Sequence, residues 1–216
     1  MDIETGHSSK ERAAVQDVVP EFPLMTKYNF VTLAFQGLGL GSSAIGLSNV
    51  VGVMALPEGA LPQMAVGMCA GSASLGLLIA AIAELLQCNV FTGTIFGVYA
   101  GYYFSYLVIY LPSNGLLTTL SARELQLTTS IISFVYAVPT IFFFLGTLKQ
   151  GLWIIRFLLL LAIGSCLLYG VGNAINSNAV NNAGGFFDIA IGLTSWYISF
   201  AMVYSTLDTY FKLPLF

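Results

Sequence analysis

Phe157-Leu158-Leu159-Leu160-Leu161-Ala162 runs through six positions without a polar side chain. Strands of a membrane barrel alternate apolar and polar residues over about ten positions, and this run does not alternate, so it reads as helix. Working outward, it lies inside the apolar stretch Leu152 to Gly172. Comparable stretches cover Tyr28 to Val51, Leu61 to Leu86, Val90 to Leu111, Leu127 to Leu148 and Gly185 to Thr206. A helix crosses a hydrocarbon core about 30 Å thick with roughly 20 apolar residues. The expected fold is therefore an all-α integral membrane protein of six transmembrane helices.

Turn chemistry separates the stretches: Pro57-Glu58-Gly59, Gln87-Cys88-Asn89, Pro112-Ser113-Asn114-Gly115, Lys149-Gln150-Gly151 and the Asn-rich run Asn173 to Asn182. Connections this short predict antiparallel neighbours. One domain is expected, with residues 1–27 as a disordered cytoplasmic tail, 28–212 as the six-helix membrane unit and 213–216 as a C-terminal end.

Composition supports the membrane reading. Hydrophobic residues make up 57% of the chain and charged ones 8%, with a mean hydropathy of +0.85, against about 25% charged residues in ordinary soluble domains. Of the 17 charged residues, eight fall before Tyr28: Asp2, Glu4, Lys10, Glu11, Arg12, Asp17, Glu21 and Lys27. No apolar segment of signal-peptide type precedes Tyr28, so the first span is expected to serve as the insertion signal. With the N-terminus inside, that side holds Lys10, Arg12, Lys27, Lys149 and Lys212 and the outside only Arg123, which predicts cytoplasmic termini. Arg156, one turn into the fifth span, is expected to reach the same inner side.

Several function classes are excluded on chemistry. The only histidine, His7, lies in the tail, no Cys/His metal spacing or phosphate-binding Gly-Lys-Ser pattern occurs, and no cofactor is expected. No Lys/Arg cluster suits nucleic acid. Cys69, Cys88 and Cys166 lie in or beside apolar runs, where they pack as small side chains.

A charge at membrane depth is costly and usually marks a path or a partner. Four ionisable groups meet that description: Glu84, Arg156, Asp188 and Asp208. Glu84 is the proton-coupling candidate, since it ends the second span just before the polar turn with Gln87 and Asn89. Asp188 and Asp208 are read as solvated groups near the two ends of the last span. Tyr99 falls near the middle of the third span, where its hydroxyl needs a partner or water, which suits a pore constriction. Asn29, Asn49, Asn89 and Asn173 stand at span ends, where an amide can satisfy open helix termini or bind a small carboxylate. Small residues crowd the first two spans, from Gly37 to Gly46 and from Gly67 to Gly76; they imply close helix packing, or faces that line a pore or a subunit contact.

These residues together resemble the acetate uptake transporter family, also called the succinate/acetate permeases, over nearly the whole length after the tail. The resemblance rests on Asn29 followed by Leu33, Gly37 and Gly39, then Leu47-Ser48-Asn49-Val50, and Glu84 followed by Asn89, Phe91 and Tyr99. Gly146-Thr147-Leu148-Lys149 and Gly172-Asn173 complete it. It implies a hexameric ring in which each protomer passes acetate or related short carboxylates, with or without protons, through a narrow layer of Phe, Tyr and Leu. Carried onto this chain, that layer is Leu38 in the Phe position, Tyr99 and Leu161, with Asn29, Thr32, Leu33, Asn49 and Asn89 as substrate-binding candidates. The family's opening Asn-Pro-x-Pro-Leu-Gly reads here Asn29-Phe30-Val31-Thr32-Leu33-Ala34, without either proline. A channel for another small solute, such as ammonia, urea or succinate, and a membrane scaffold that transports nothing stay open as alternatives.

Overall fold

The computed structural model describes residues 29–50, 61–148, 153–204 and 213–214. Six helical rods form there. α1 is Val31–Val50, α3 is Val90–Tyr110, α4 is Ala122–Thr147, α5 is Trp153–Ala174 and α6 is Asn178–Val203. α2 is composite: Leu61–Met68 runs through a π-helical segment, Cys69–Leu75, into Gly76–Leu86. Among the described residues no strand occurs, and five of the rods are long and apolar enough to cross a membrane. The other, α3, has 21 residues, but its glycines, threonines and tyrosines lower its hydropathy. The tail, Pro57-Glu58-Gly59, Lys149-Gln150-Gly151 and Asp208 lie outside the described residues.

Two helices start earlier than expected. Ser121 caps α4: its hydroxyl accepts from the Glu124 amide while the Glu124 carboxylate takes the Ser121 amide, a reciprocal pairing that satisfies two open donors. α4 therefore begins at Ala122 rather than Leu127. α6 begins at Asn178 rather than Gly185 and ends at Val203. The second half of the Asn-rich run is thus helix, and the turn before it is shorter: Asn176 takes a left-handed conformation (φ 55°) and the Ser177 amide returns to the Gly172 carbonyl at 2.8 Å.

α1 packs along α6 and also against α2; α3 lies on α2, α4 on α5, and α5 on α6. The α1/α6 contact is backbone on backbone. A Cβ placed on Gly46 would stand 2.6 Å from the Gly185 carbonyl oxygen, so only glycine permits this approach. The α1 glycines Gly37, Gly39, Gly41 and Gly46 are all buried within the protomer. They serve its own packing rather than a contact between subunits, because each meets α2, α3 or α6 where a side chain would stand. Gly67 and Gly71 of α2, by contrast, have nothing within 4 Å of that point.

α4 and α5 are tied at both ends by arginines. Arg123, at the start of α4, donates to the Asn173 and Ala174 carbonyls that close α5, at 2.9 and 2.6 Å. Arg156, early in α5, donates to the Thr147 and Leu148 carbonyls at the end of α4, at 3.0 and 2.9 Å, and lies over the Trp153 ring. Each cation satisfies open carbonyls at a helix C-terminus, where the helix dipole also favours it. Pro139 interrupts α4 midway, removing one backbone donor from its ladder.

The apolar core runs through the middle of the bundle and includes Leu77, which is fully buried. Leu77→Ala is expected to cost about 2–5 kcal/mol, as large-to-small core changes do, and to lower the thermal midpoint of the protein in detergent. The outer surface is also apolar: Ile131, Val135, Val138 and Phe142 of α4 are all more than half exposed, which suits contact with lipid.

Candidate functional site

Two cavities adjoin inside the bundle. The larger, about 360 Å³, opens where α1 begins, α2 turns into α3, α4 ends and α6 ends. Its walls are apolar, with Phe35, Ile95, Phe96, Ile198 and Met202 among them, and Asn89, Thr92 and Thr147 add polar groups. The smaller, about 30 Å³, holds about one water by volume. Its lining is more polar: Ser42, Tyr103, Ser165 and Asp188 face it.

Leu38, Tyr99 and Leu158 line both cavities and so separate them. Each is buried, and they come from three different helices, α1, α3 and α5. The Tyr99 hydroxyl finds its partner on a fourth: it donates to Thr140 Oγ1 of α4 at 3.1 Å, and Thr140 in turn donates to the Tyr136 carbonyl at 2.7 Å. That bond turns the ring across the gap between the cavities. Leu38 stands one helical turn before Ser42, so the partition and the polar floor beyond it are about 6 Å apart along α1.

The other residues singled out in the sequence are distributed unequally. Leu161 is half-buried and lines neither cavity; the leucine between them is Leu158, on the preceding turn of the same helix. Asn89 lines the larger cavity, and its amide donates to the Glu84 carboxylate at 2.6 Å. Glu84 is buried, and it helps close the α2–α3 turn, since the Asn89 backbone amide also bonds the Glu84 carbonyl at 2.9 Å. Asn29 caps α1, its side-chain oxygen accepting from the Val31 amide at 3.1 Å, while the Thr32 hydroxyl donates back to the Asn29 carbonyl. Leu33 faces outward, 41% exposed. Asn49 sits beyond the smaller cavity and donates to the Tyr169 hydroxyl at 3.2 Å.

Asp188 departs most from expectation. Expected as a solvated group near a span end, it is 6% exposed and stands well inside α6, ten positions after the helix start at Asn178. Its carboxyl oxygen accepts from Ser165 at 2.5 Å and is also bonded to Tyr169. The reason is the unexpected α6 start: moving it from Gly185 to Asn178 carries Asp188 two turns deeper. A signal existed in the spacing, because Gly184, Gly185, Asp188, Ile191, Gly192, Ser195 and Ser199 recur at helical intervals and all are buried. Ser165 and Tyr169 of α5, one turn apart, were likewise not singled out.

A bundle with a vestibule, a three-residue partition and a more polar pocket beyond it invites comparison with known membrane proteins. Residues 26–216 match the GPR1/FUN34/yaaH family. The chain belongs to that family. Among curated relatives, the Accumulation of dyads protein 2 of Saccharomyces cerevisiae is 30% identical over 176 residues, covering 79% of this chain and 62% of its own length. The Ammonia transport outward protein 2 of the same yeast is 27% identical over 152 residues, covering 69% of this chain and 54% of its own. The alignments thus span less than two thirds of these relatives. The solved bacterial acetate channel SatP superposes with a TM-score of 0.75 at 23% identity, covering 88% of this chain and 99% of that one. The resemblance to acetate uptake transporters is thereby shown at the level of family, and the fold is that of a solved membrane channel.

Proposed function

We propose that the chain forms a conduit for acetate and related short monocarboxylates across a membrane. The observation that carries this reading is the partition of Leu38, Tyr99 and Leu158 between two adjoining cavities. A small solute entering the vestibule meets Asn89, loses most of its water among apolar walls, and passes the Tyr99 ring to reach hydroxyl donors on the far side. Among the described residues no Lys or Arg lines either cavity. An anion held by amide and hydroxyl donors alone binds weakly and leaves readily, as conduction demands.

Around this conduit the reading adds cytoplasmic termini, a plasma-membrane location and a ring of six protomers. The vestibule then opens to the cytoplasm. Gly67 and Gly71 of α2, whose outer side leaves room for a close neighbour, suit the contact between protomers. Glu84 enters through Asn89, whose amide it orients. A second reading, passage of ammonia, is favoured by the yeast relative that carries that name.

Uptake of labelled acetate into proteoliposomes tests the first reading. Flux above that of empty vesicles, competed by propionate but not by ammonium, is expected. Folded protein that gives no such flux, or flux competed only by ammonium, would replace it with the ammonia reading or with a scaffold.

A further inference from the structure

Beyond the partition, Asp188 is a carboxyl group in the interior of a membrane helix, and among the described residues no Lys or Arg lines its cavity. The two arginines among the described residues are held at the ends of α4 and α5. The titratable groups around Asp188 are thiols and phenols: Tyr102 and Tyr103 from α3 and Cys166 from α5 line the same cavity, Tyr169 from α5 is bonded to it, and Cys69 from α2 and Tyr106 from α3 lie near enough to interact. These are uncharged at neutral pH. α1 contributes Ser42 and Asn49, which do not titrate. A bare carboxylate in such surroundings costs several kcal/mol unless something neutralises it.

Its polar contacts form a chain rather than a closed shell. On one side the one-water cavity joins Asp188 to Ser42, whose Oγ is 2.6 Å from the Tyr103 hydroxyl. On the other, Tyr169 links the carboxyl group to the Asn49 amide, and the Asn182 amide, in the orientation that satisfies it, donates to the Asn49 carbonyl at 2.8 Å. That chain leads to the start of α6, at the end of the bundle opposite the vestibule.

We infer that Asp188 is a proton-binding site on the conduit, taking up and releasing a proton at the one-water cavity as solute passes. In uptake a carboxylate oxygen of Asp188 forms an O–H bond with a proton delivered by hydronium, leaving water. In release that bond breaks and the proton returns to a water molecule. Ser165 and Tyr169 orient the carboxyl group throughout. An anionic solute that crosses while Asp188 is protonated meets no negative charge beyond the partition, so its passage is linked to proton occupancy. This site rests on the proposed conduit only for its consequence for flux, not for its existence.

The test uses full-length protein reconstituted in lipid, with two readouts. Infrared difference spectra recorded across the acid-to-neutral range are expected to show a protonated-carboxyl C=O band that titrates in the wild type. The band should be lost in Asp188→Asn, kept in Glu84→Gln, and present but shifted in Asp188→Glu. Asn keeps the size and one acceptor of Asp, and size-exclusion chromatography checks that it folds. In vesicles, Asp188→Asn is expected to reduce acetate accumulation driven by a pH gradient at least tenfold and to flatten the pH dependence of acetate exchange that the wild type shows. A band that survives in Asp188→Asn, or gradient-driven accumulation equal to wild type, overturns the inference. A wild type that carries no acetate but shows the band, lost in Asp188→Asn, overturns the acetate conduit and upholds the proton site.

Discussion

Tyr99→Ala is expected to merge the two cavities into one and to lower discrimination between acetate and the larger succinate by about tenfold or more. A single methylene in an apolar pocket is worth 10–200-fold in selectivity, and this change removes a whole ring from the layer that Leu38 and Leu158 share. Thr140 keeps its bond to the Tyr136 carbonyl, so α4 is not left with an orphaned hydroxyl. Loss of a buried aromatic also costs about 3–5 kcal/mol of stability, which makes the folded fraction part of the measurement. Tyr99→Phe separates the two effects: it keeps the ring and loses only the bond to Thr140, and its selectivity is expected to stay near wild type. Competition of labelled acetate uptake by succinate gives the answer. Unchanged selectivity in a folded Tyr99→Ala variant would remove the partition from the mechanism.

Gly185→Leu is expected to prevent the bundle from forming. A Cβ at this position would stand 2.9 Å from the Gly46 carbonyl oxygen and 2.9 Å from Val50 Cγ2. The first of these is helix backbone and cannot swing aside. Overpacking usually costs about 1–3 kcal/mol, occasionally more, and here α1 and α6 must separate along their shared face before leucine fits. Size-exclusion chromatography of the detergent extract should show aggregate in place of the wild-type peak. Gly71→Leu provides the contrast, because no atom lies within 4 Å of that Cβ; its protomer is expected to fold, and any loss is confined to assembly. A wild-type profile for Gly185→Leu would contradict the α1/α6 packing.

The course of the chain was legible because membrane helices are written in long apolar runs and their turns in Pro, Gly and Asn. The need of the Tyr99 hydroxyl for a partner was legible too, since a mid-helix phenol among apolar residues does not stay unbonded, and Thr140 supplies it. What escaped depended on helix starts and rotation. The Asn-rich segment before α6 looks like loop by composition, yet Asn178 to Asn182 form its first turns, and a helix started at Gly185 would leave Asp188 near its end and solvated, where the longer helix buries it. Leu158 and Leu161 lie on adjacent turns of an all-apolar run, where no polar residue marks which one faces inward. The α1 glycines could serve packing within or between protomers equally well on spacing alone. Only the neighbours of α1 decide it.

Pro139 gives the partition a mechanical dimension. A helix bends most readily where its ladder lacks a rung, and in α4 that place is one residue before Thr140, which holds the Tyr99 hydroxyl. The two arginine clamps fix both ends of α4 against α5, leaving its middle as the compliant section. A bend of α4 at Pro139 would therefore be shared with the Tyr99 ring through Thr140, which ties the shape of the lipid-facing helix to the layer between the cavities.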